Sequence, residues 1–330
     1  MLSGLDKIPR CRLAPFPTPL IPAPGLGGAI GIPKLMLKRD DLIAFGFGGN
    51  KVRGLEFLLA DALAREADVI LTGAGAQSNH VRATAAAAAW AKLDAIAIYW
   101  GHEPARVEGN FALTRLLGAR TCFTESDDRA SVDAQLETVA AEMRAAGRRP
   151  YVIPRGGACG LGVIGHILAV AELAAQCRER DVAPDTIILA VGSGGTFAGW
   201  LVGIRALGLH WGLEGFTVSR PAKEVRHRIV SLAAEGAASA GFDLRFEEKD
   251  IIVHDGFLGA GYGVPTPEGD AAIVLGARRE GVFFDPTYTG KAFAGLMSHA
   301  ARGRVRASQC VVFVHTGGQP TLLARASAVG

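Results

Sequence analysis

The 330-residue chain is 49% hydrophobic and 20% charged, a balance that excludes a disordered protein and allows two domains with ordinary cores. A formal net charge of +3 is too small to argue for a nucleic-acid or membrane partner, and an evenly mixed surface is expected. Cys11, Cys122, Cys159, Cys177 and Cys310 are odd in number and widely spaced, with no Cys-x-x-Cys pair. This argues against a disulfide framework or zinc site and for a reducing, cytoplasmic compartment.

The N-terminus mixes Asp6, Lys7, Arg10 and Arg12 among its apolar residues, so no signal-peptide core is expected. Residues 9–33 are rich in proline and lack periodicity, which predicts an extended arm. Lys34–Lys38 reads as a short strand. From there strand and helix patterns alternate: helix Val52–Arg65, strand Asp68–Thr72, alanine-rich helix Asn79–Lys92 and strand Ala95–Tyr99. Helix Asn110–Leu117, strand Arg120–Phe123, helix Val132–Ala146 and strand Tyr151–Ile153 follow.

After Gly156-Gly157 the pattern predicts helix Leu161–Glu179, strand Asp185–Val191, helix Phe197–Leu207, strand Gly215–Ser219, helix Ala222–Ala240 and strand Ile251–His254. Gly256–Gly269 reads as a loop, followed by helices Ala271–Glu280 and Gly290–Arg302 and strand Cys310–His315. The uncharged stretch Thr186–Ile204 has Gly-Ser-Gly-Gly-Thr at its centre, so it reads as strand, turn and helix rather than a membrane span. The alternation predicts an α/β protein with two open parallel sheets covered by helices on both faces. Residues 47–155 are expected to form the smaller domain, and 1–46 with 156–330 the larger.

Two segments carry the chemistry. Gly48-Gly49-Asn50-Lys51 places a lysine at the start of a helix, where the helix dipole and a dry cleft both disfavour the ammonium. Gly192–Gly199, Gly-Ser-Gly-Gly-Thr-Phe-Ala-Gly, is a strand-turn-helix unit whose amides suit an anion. A dinucleotide fingerprint would need glycine at Phe197 and an acid where Ser219-Arg220 stands, and no nucleotide P-loop is present. That disfavours a nucleotide-binding oxidoreductase. A neutral amine beside a cradle for one phosphate ester is what pyridoxal 5'-phosphate requires.

Further residues fit that reading. Gly73–His80 is a second anion-ready loop, in which Ser78 and Asn79 either cap the alanine helix or meet a substrate carboxylate. Tyr262 and Tyr288 sit in glycine-bearing loops, as proton carriers or as packed aromatics. Thr316, ending the last strand before Gly317-Gly318, suits a ring nitrogen, and a neutral hydroxyl there favours elimination over transamination. No Gly-x-Ser-x-Gly elbow and no His-Glu-x-x-His spacing is present, so no metal is expected.

Gly48–Lys51, Gln77–Arg82, Gly192–Gly199, Asp285–Gly295 and His315–Gly318 together resemble the D-cysteine desulfhydrase and 1-aminocyclopropane-1-carboxylate deaminase family, in order and spacing from Arg39 to Pro320. The resemblance implies the fold type II architecture of the tryptophan synthase β-subunit, a homodimer, and a cofactor between two domains. It implies that Lys51 holds the cofactor, Asn79 meets its ring hydroxyl, and Ser193, Gly194, Gly195 and Thr196 hold its phosphate. Ser78, Asn79, His80 and Thr289 would face the substrate, with Tyr262 and Tyr288 beside it and Thr316 at the ring nitrogen.

The ring-opening deaminases carry Glu where this chain has Thr289, and tend to have Gln at His80; both differences favour the desulfhydrases. Gly54, Cys159 and Gln319 depart from the family pattern. The expected activity is α,β-elimination from a small amino acid, D-cysteine giving pyruvate, ammonia and hydrogen sulfide. The alternatives are a 1-aminocyclopropane-1-carboxylate deaminase, an L-cysteate sulfo-lyase, or a non-catalytic relic that binds cofactor or amino acid.

Overall fold

The computed structural model describes residues 4–324. Residues 1–3 and 325–330, which the sequence reading assigns to the larger domain, lie outside the described residues. The N-terminal segment contributes β1 (Leu20–Pro22), α1 (Pro24–Ile30) and β2 (Lys34–Arg39). The middle supplies α2 (Lys51–Ala64), β3 (Val69–Ala74), α3 (Asn79–Trp90), β4 (Asp94–Tyr99), α4 (Gly109–Leu116), β5 (Arg120–Phe123), α5 (Ser131–Ala145) and β6 (Pro150–Val152). Next come α6 (Gly160–Glu179), β7 (Thr186–Val191), α7 (Gly195–Ala206), β8 (Gly212–Thr217), α8 (Ala222–Ser239) and β9 (Ile252–His254). The chain closes with α9 (Pro267–Glu280), α10 (Thr289–Ala301), β10 (Cys310–His315) and α11 (Gln319–Leu323).

Two sheets result. One has four strands in the order β5-β4-β3-β6, all parallel. The other has six, β1-β2-β10-β7-β8-β9, parallel except at one edge, where β1 runs antiparallel to β2 with Leu20 opposite Lys38. All six residues of β3 and of β7 are buried, as strands covered on both faces require. The pleat divides β7 cleanly. Ile187, Leu189 and Val191 join the core under α6, α7 and α8, whereas Ile188 and Ala190 join the core under α1, α9 and α10. By contrast α5, on the outside of the smaller sheet, buries only Val132, Leu136 and Ala140, a single stripe at four-residue spacing.

The expected extended arm is only partly extended: Leu20–Pro22 and Pro24–Ile30 are an edge strand and a short helix. The helix is poor in intrinsic propensity, and Glu280 at the far end of α9 accepts from its Gly25 and Leu26 N–H groups (2.6 and 3.2 Å). Helix α9 starts at Pro267 rather than Ala271, because the Thr266 hydroxyl accepts from Gly269 N–H and Pro267 opens the first turn. Strand β8 covers Gly212–Thr217, shifted towards the N-terminus of the expected Gly215–Ser219.

Helices α2 and α6 cross with backbones almost touching. A Cβ on Gly54 would stand 2.5 Å from the Gly162 carbonyl oxygen, and one on Gly165 would stand 2.1 Å from that of Arg53. Glycine at position 54 is therefore a packing requirement of this chain. Beside this crossing lies a buried ionic knot. Arg53 donates to Asp40 (2.7 and 2.9 Å) and Glu172 (3.0 Å), while Lys38 bonds Glu172, Gln176 (2.7 Å) and the Thr18 carbonyl (2.7 Å). Burial pushes the Asp40 carboxyl up, but the Arg53 charge and hydrogen bonds outweigh it and leave the group below its usual range. The knot ties arm, β2, α2 and α6 together two residues from Lys51.

Candidate active site

A single cavity gathers the carboxyl ends of β3, β7, β8 and β10, where ligands of open α/β sheets bind. It lies between the two sheets and takes walls from both.

Lys51 enters it through backbone contacts on the turn before α2. Gly48 and Gly49 adopt φ of 82° and 99°, the left-handed region open to glycine. The Asn50 N–H donates to the Thr316 carbonyl (3.0 Å), and a Cβ on Gly317 would stand 2.8 Å from the Gly49 Cα. The turns before α2 and after β10 thus lie backbone against backbone. From there Lys51 Nζ donates to the Gly156 carbonyl at 2.9 Å. Burial lowers its pKa to about 8. At pH 7 about a tenth of the amine is then neutral, against a few parts in ten thousand for an ordinary lysine. Burial is the cause of the shift, in the direction the sequence suggested.

The glycine loop lies alongside. Gly194 holds φ of 95° and no side chain caps α7, so the first-turn amides of this twelve-residue helix face the cavity without a side-chain acceptor. Asn50 Nδ2 donates to Thr196 Oγ1 (2.9 Å), which joins the starts of α2 and α7. Arg228 Nε donates to the Ser193 carbonyl (2.9 Å). Gly195, the first residue of α7, is not among the residues that line the cavity.

The loop after β3 has both of its expected roles available. Ser78 caps α3 by accepting from Val81 N–H (3.3 Å), and it also lines the cavity. The Asn79 amide oxygen accepts from Asn110 (2.8 Å), which leaves its NH2 as the group it offers a ligand. His80 Nε2 lies 3.0 Å from Thr72 Oγ1, whose proton goes to the Ile153 carbonyl (2.9 Å). The imidazole therefore carries its proton on Nε2. Burial, and then the Lys51 charge, hold it neutral far below its usual pKa. Arg82, fully buried, braces the loop: it donates to Asn110 (2.7 Å), to the Gly48 carbonyl (2.9 Å) and to the Gly46 carbonyl.

Tyr262 and Tyr288 meet hydroxyl to hydroxyl on the opposite wall, their ring centroids 5.9 Å apart. Burial raises both phenol pKa values, so both are neutral and share one hydrogen bond between them. A Cβ on Gly192 would come within 3.0 Å of the Tyr288 ring, so glycine there admits the ring. Asp285 orients Tyr288 by accepting its N–H and that of Thr287 (both 2.9 Å).

Of the sequence-expected residues, Lys51, Ser78, Asn79, His80, Ser193, Gly194, Thr196, Tyr262, Tyr288 and Thr316 line one cavity. Thr289 does not. It is fully buried, and its hydroxyl is occupied by the Asp285 side chain and N–H (both 2.8 Å), so it acts on the cavity through Asp285 and Tyr288.

Sequence reasoning missed Trp100, Arg129, Arg155, Arg220 and Arg228, all of which line the cavity. Their local sequences carry no signal; each reads as an ordinary surface residue until the fold brings it inward. No aspartate or glutamate is among the described lining residues.

Residues 12–317 match the family described as pyridoxal-phosphate dependent enzyme. The chain is 41% identical over 328 residues to a D-cysteine desulfhydrase of Salmonella choleraesuis, covering 98% of each. A solved structure described as an ACC deaminase homologue superposes with a TM-score of 0.92 at 36% identity, covering 99% of this chain and 97% of the other. An L-serine ammonia-lyase from Rhizomucor miehei shares the fold, with a TM-score of 0.70 at 20% identity over 96% of this chain and 98% of that one.

Proposed function

The chain belongs to the pyridoxal-phosphate dependent enzyme family, and from that premise we propose that its cavity eliminates a Cβ substituent from a small α-amino acid, D-cysteine being the substrate to test first. The observation that carries the reading is the half-buried Lys51 amine, with no carboxylate beside it among the described residues, next to an uncapped helix terminus. These residues fit the cofactor: a neutral amine for its aldehyde, backbone amides for its phosphate, and a hydroxyl at the end of β10 for its ring nitrogen.

When bound, pyridoxal phosphate supplies the electron sink that makes a carbanion at the substrate Cα accessible. Lys51 would hold it, Ser193 to Thr196 would receive the phosphate, Asn79 the ring hydroxyl and Thr316 the ring nitrogen. Ser78 and His80 would receive the α-carboxylate, with the neutral His80 adding no competing charge. Once released, the Lys51 amine is a base of about the right strength to take the α-proton. The Tyr262–Tyr288 pair can pass a proton to a group leaving Cβ, since either hydroxyl can donate.

Ring opening of 1-aminocyclopropane-1-carboxylate is the weaker reading. Thr289 stands where the deaminases have Glu, and among the described residues no carboxylate lines the cavity to take its place. The division of the chain at 47–155 into a smaller domain, assembly as a homodimer and a cytoplasmic location belong to the same proposal.

The test is to incubate holoenzyme with D-cysteine, 3-chloroalanine and 1-aminocyclopropane-1-carboxylate and to measure 2-oxo acid and ammonia. Pyruvate from the first two is expected. Ammonia from the last alone reverses the choice within the family, and cofactor colour without any 2-oxo acid supports a non-catalytic relic.

A further inference from the structure

Outside the cavity, β8, β9 and α10 bring three metal-type donors to one point. Glu214 and Phe216 share the face of β8 that packs toward α10, and the parallel register sets His254 of β9 opposite Phe216. Gly295 permits the close packing: a Cβ there would stand 2.3 Å from the Phe216 ring. His299 lies one turn further along α10. Its ring meets that of Phe216 at 4.9 Å and that of His254 at 4.4 Å between centroids, both edge to face. The three residues lie far apart in the chain, so no spacing motif announces them, and none of them lines the cavity.

The outcome is one carboxylate with two imidazoles. His254 Nε2 lies 2.7 Å from Glu214 Oε2, His299 Nδ1 lies 4.0 Å from the same oxygen, and the three donor atoms fall within 4.8 Å of one another. A separation of 4.0 Å is too long for a hydrogen bond, so the His299 Nδ1 approaches the carboxylate without bonding it. Tetrahedral zinc spaces its donors roughly 3.3 Å apart, so the close pair would open slightly and the others close by about 1 Å. The side chains of Glu214 and His254 are 24% and 25% exposed and that of His299 is 4% exposed, which gives an ion one open side and one wall of core.

The protonation states suit ligands. The hydrogen bond from His254 lowers the Glu214 pKa, so the group is a carboxylate. Burial, and then the neighbouring His254, lower the His299 pKa and keep that imidazole neutral. Its Nε2 lies 3.5 Å from Arg304, an exposed side chain that can turn to solvent. Two imidazoles and a carboxylate match zinc with one position left for water. No thiolate is present to select a softer ion, and the two nitrogens disfavour calcium and magnesium.

We propose that Glu214, His254 and His299 bind a divalent transition-metal ion of the zinc class, with water completing its shell. The ion takes the place of the proton that His254 now shares with Glu214, and that proton goes to solvent. Each ligand stands on an element that feeds a wall of the cavity. Strand β8 runs on to Ser219 and Arg220, β9 leads into residues 255–266 with Tyr262, and α10 starts directly after Tyr288. The ion is thus a clamp at the base of that wall and takes no part in the reaction. The proposal stands independently of the elimination reading.

The test titrates holoenzyme, freed of metal with a chelator, with Zn2+ in an isothermal calorimeter and follows its thermal midpoint with and without the ion. One saturable site per chain and a higher midpoint are expected, since an ion that binds the folded chain stabilises it. Glu214→Gln and His254→Gln, both at partly exposed positions, should each weaken Zn2+ roughly tenfold or more and lose the midpoint rise. His227→Gln, at an exposed histidine of α8 outside the cluster, should bind Zn2+ as the unmutated chain does. Any destabilisation by the substitutions themselves shows in the metal-free midpoint and is read apart from the change on adding the ion. Absence of a saturable site, or equal binding by all four proteins, would reduce the cluster to an ion pair beside a packed imidazole and overturn the proposal.

Discussion

Lys38 is fully buried and Lys51 half-buried in the cavity wall, and the chain treats them in opposite ways. Lys38 is surrounded by acceptors: the Glu172 carboxylate, the Gln176 amide oxygen and the Thr18 carbonyl. Burial lowers its pKa, but Glu172 and Asp40 pull back against that shift. Among the described residues Lys51 has one carbonyl acceptor, at Gly156, and no carboxylate beside it to oppose the effect of burial. The same residue type is thus a structural cation in one place and a reactive amine in the other. The deciding variable is the carboxylate beside it, since an unpaired buried charge is strained toward its neutral form.

Replacement of these groups separates the two roles. Lys51→Met should cost about a thousandfold or more in kcat, because the covalent anchor and the base leave together. The apo protein should unfold at the same denaturant concentration or higher, since a charge with no ion-pair partner is removed. Retained turnover would break the comparison at its functional end.

Arg53→Met is the opposite case. It leaves Asp40 and Glu172 with Lys38 alone, and breaking a buried pair costs about 3–5 kcal/mol. Equilibrium denaturation should show that loss. A change under about 1 kcal/mol would mean that the knot contributes little and that position 53 is no more structural than position 51.

How far each region could be read beforehand follows the same physics. Strands β3, β7 and β10 are continuous apolar runs ending in glycine turns, so both the strands and the site at their ends were legible from local pattern. Ser78, Ser193 and Thr316 follow those ends, and Lys51 opens α2 after a glycine turn of its own. Residues Pro24–Ile30 were not legible, because the helix depends on Glu280, more than 250 positions away, for its N-terminal acceptors. The start of α9 was legible in principle: Thr266-Pro267-Glu268 carries a cap, a first-turn proline and an acid, and the sequence reading began the helix too late. The arginines were hidden for another reason. A charged residue on a helix or loop ordinarily faces solvent, and only the meeting of two sheets turns Arg129, Arg155 and Arg228 toward one cavity. Thr289 shows the converse, a site-motif residue whose side chain is consumed by Asp285.

The central claim is that the amine at position 51 is the one poised to join the cofactor. Apo protein is mixed with pyridoxal phosphate between pH 6 and 10 and briefly reduced with borohydride, and its peptides are analysed by mass spectrometry. The account predicts label on the peptide containing Lys51, rising with pH to a midpoint at about 8, because the neutral form attacks and burial brings it into that range. Label on a different lysine, or a midpoint at the ordinary lysine value of about 10.4, would contradict it.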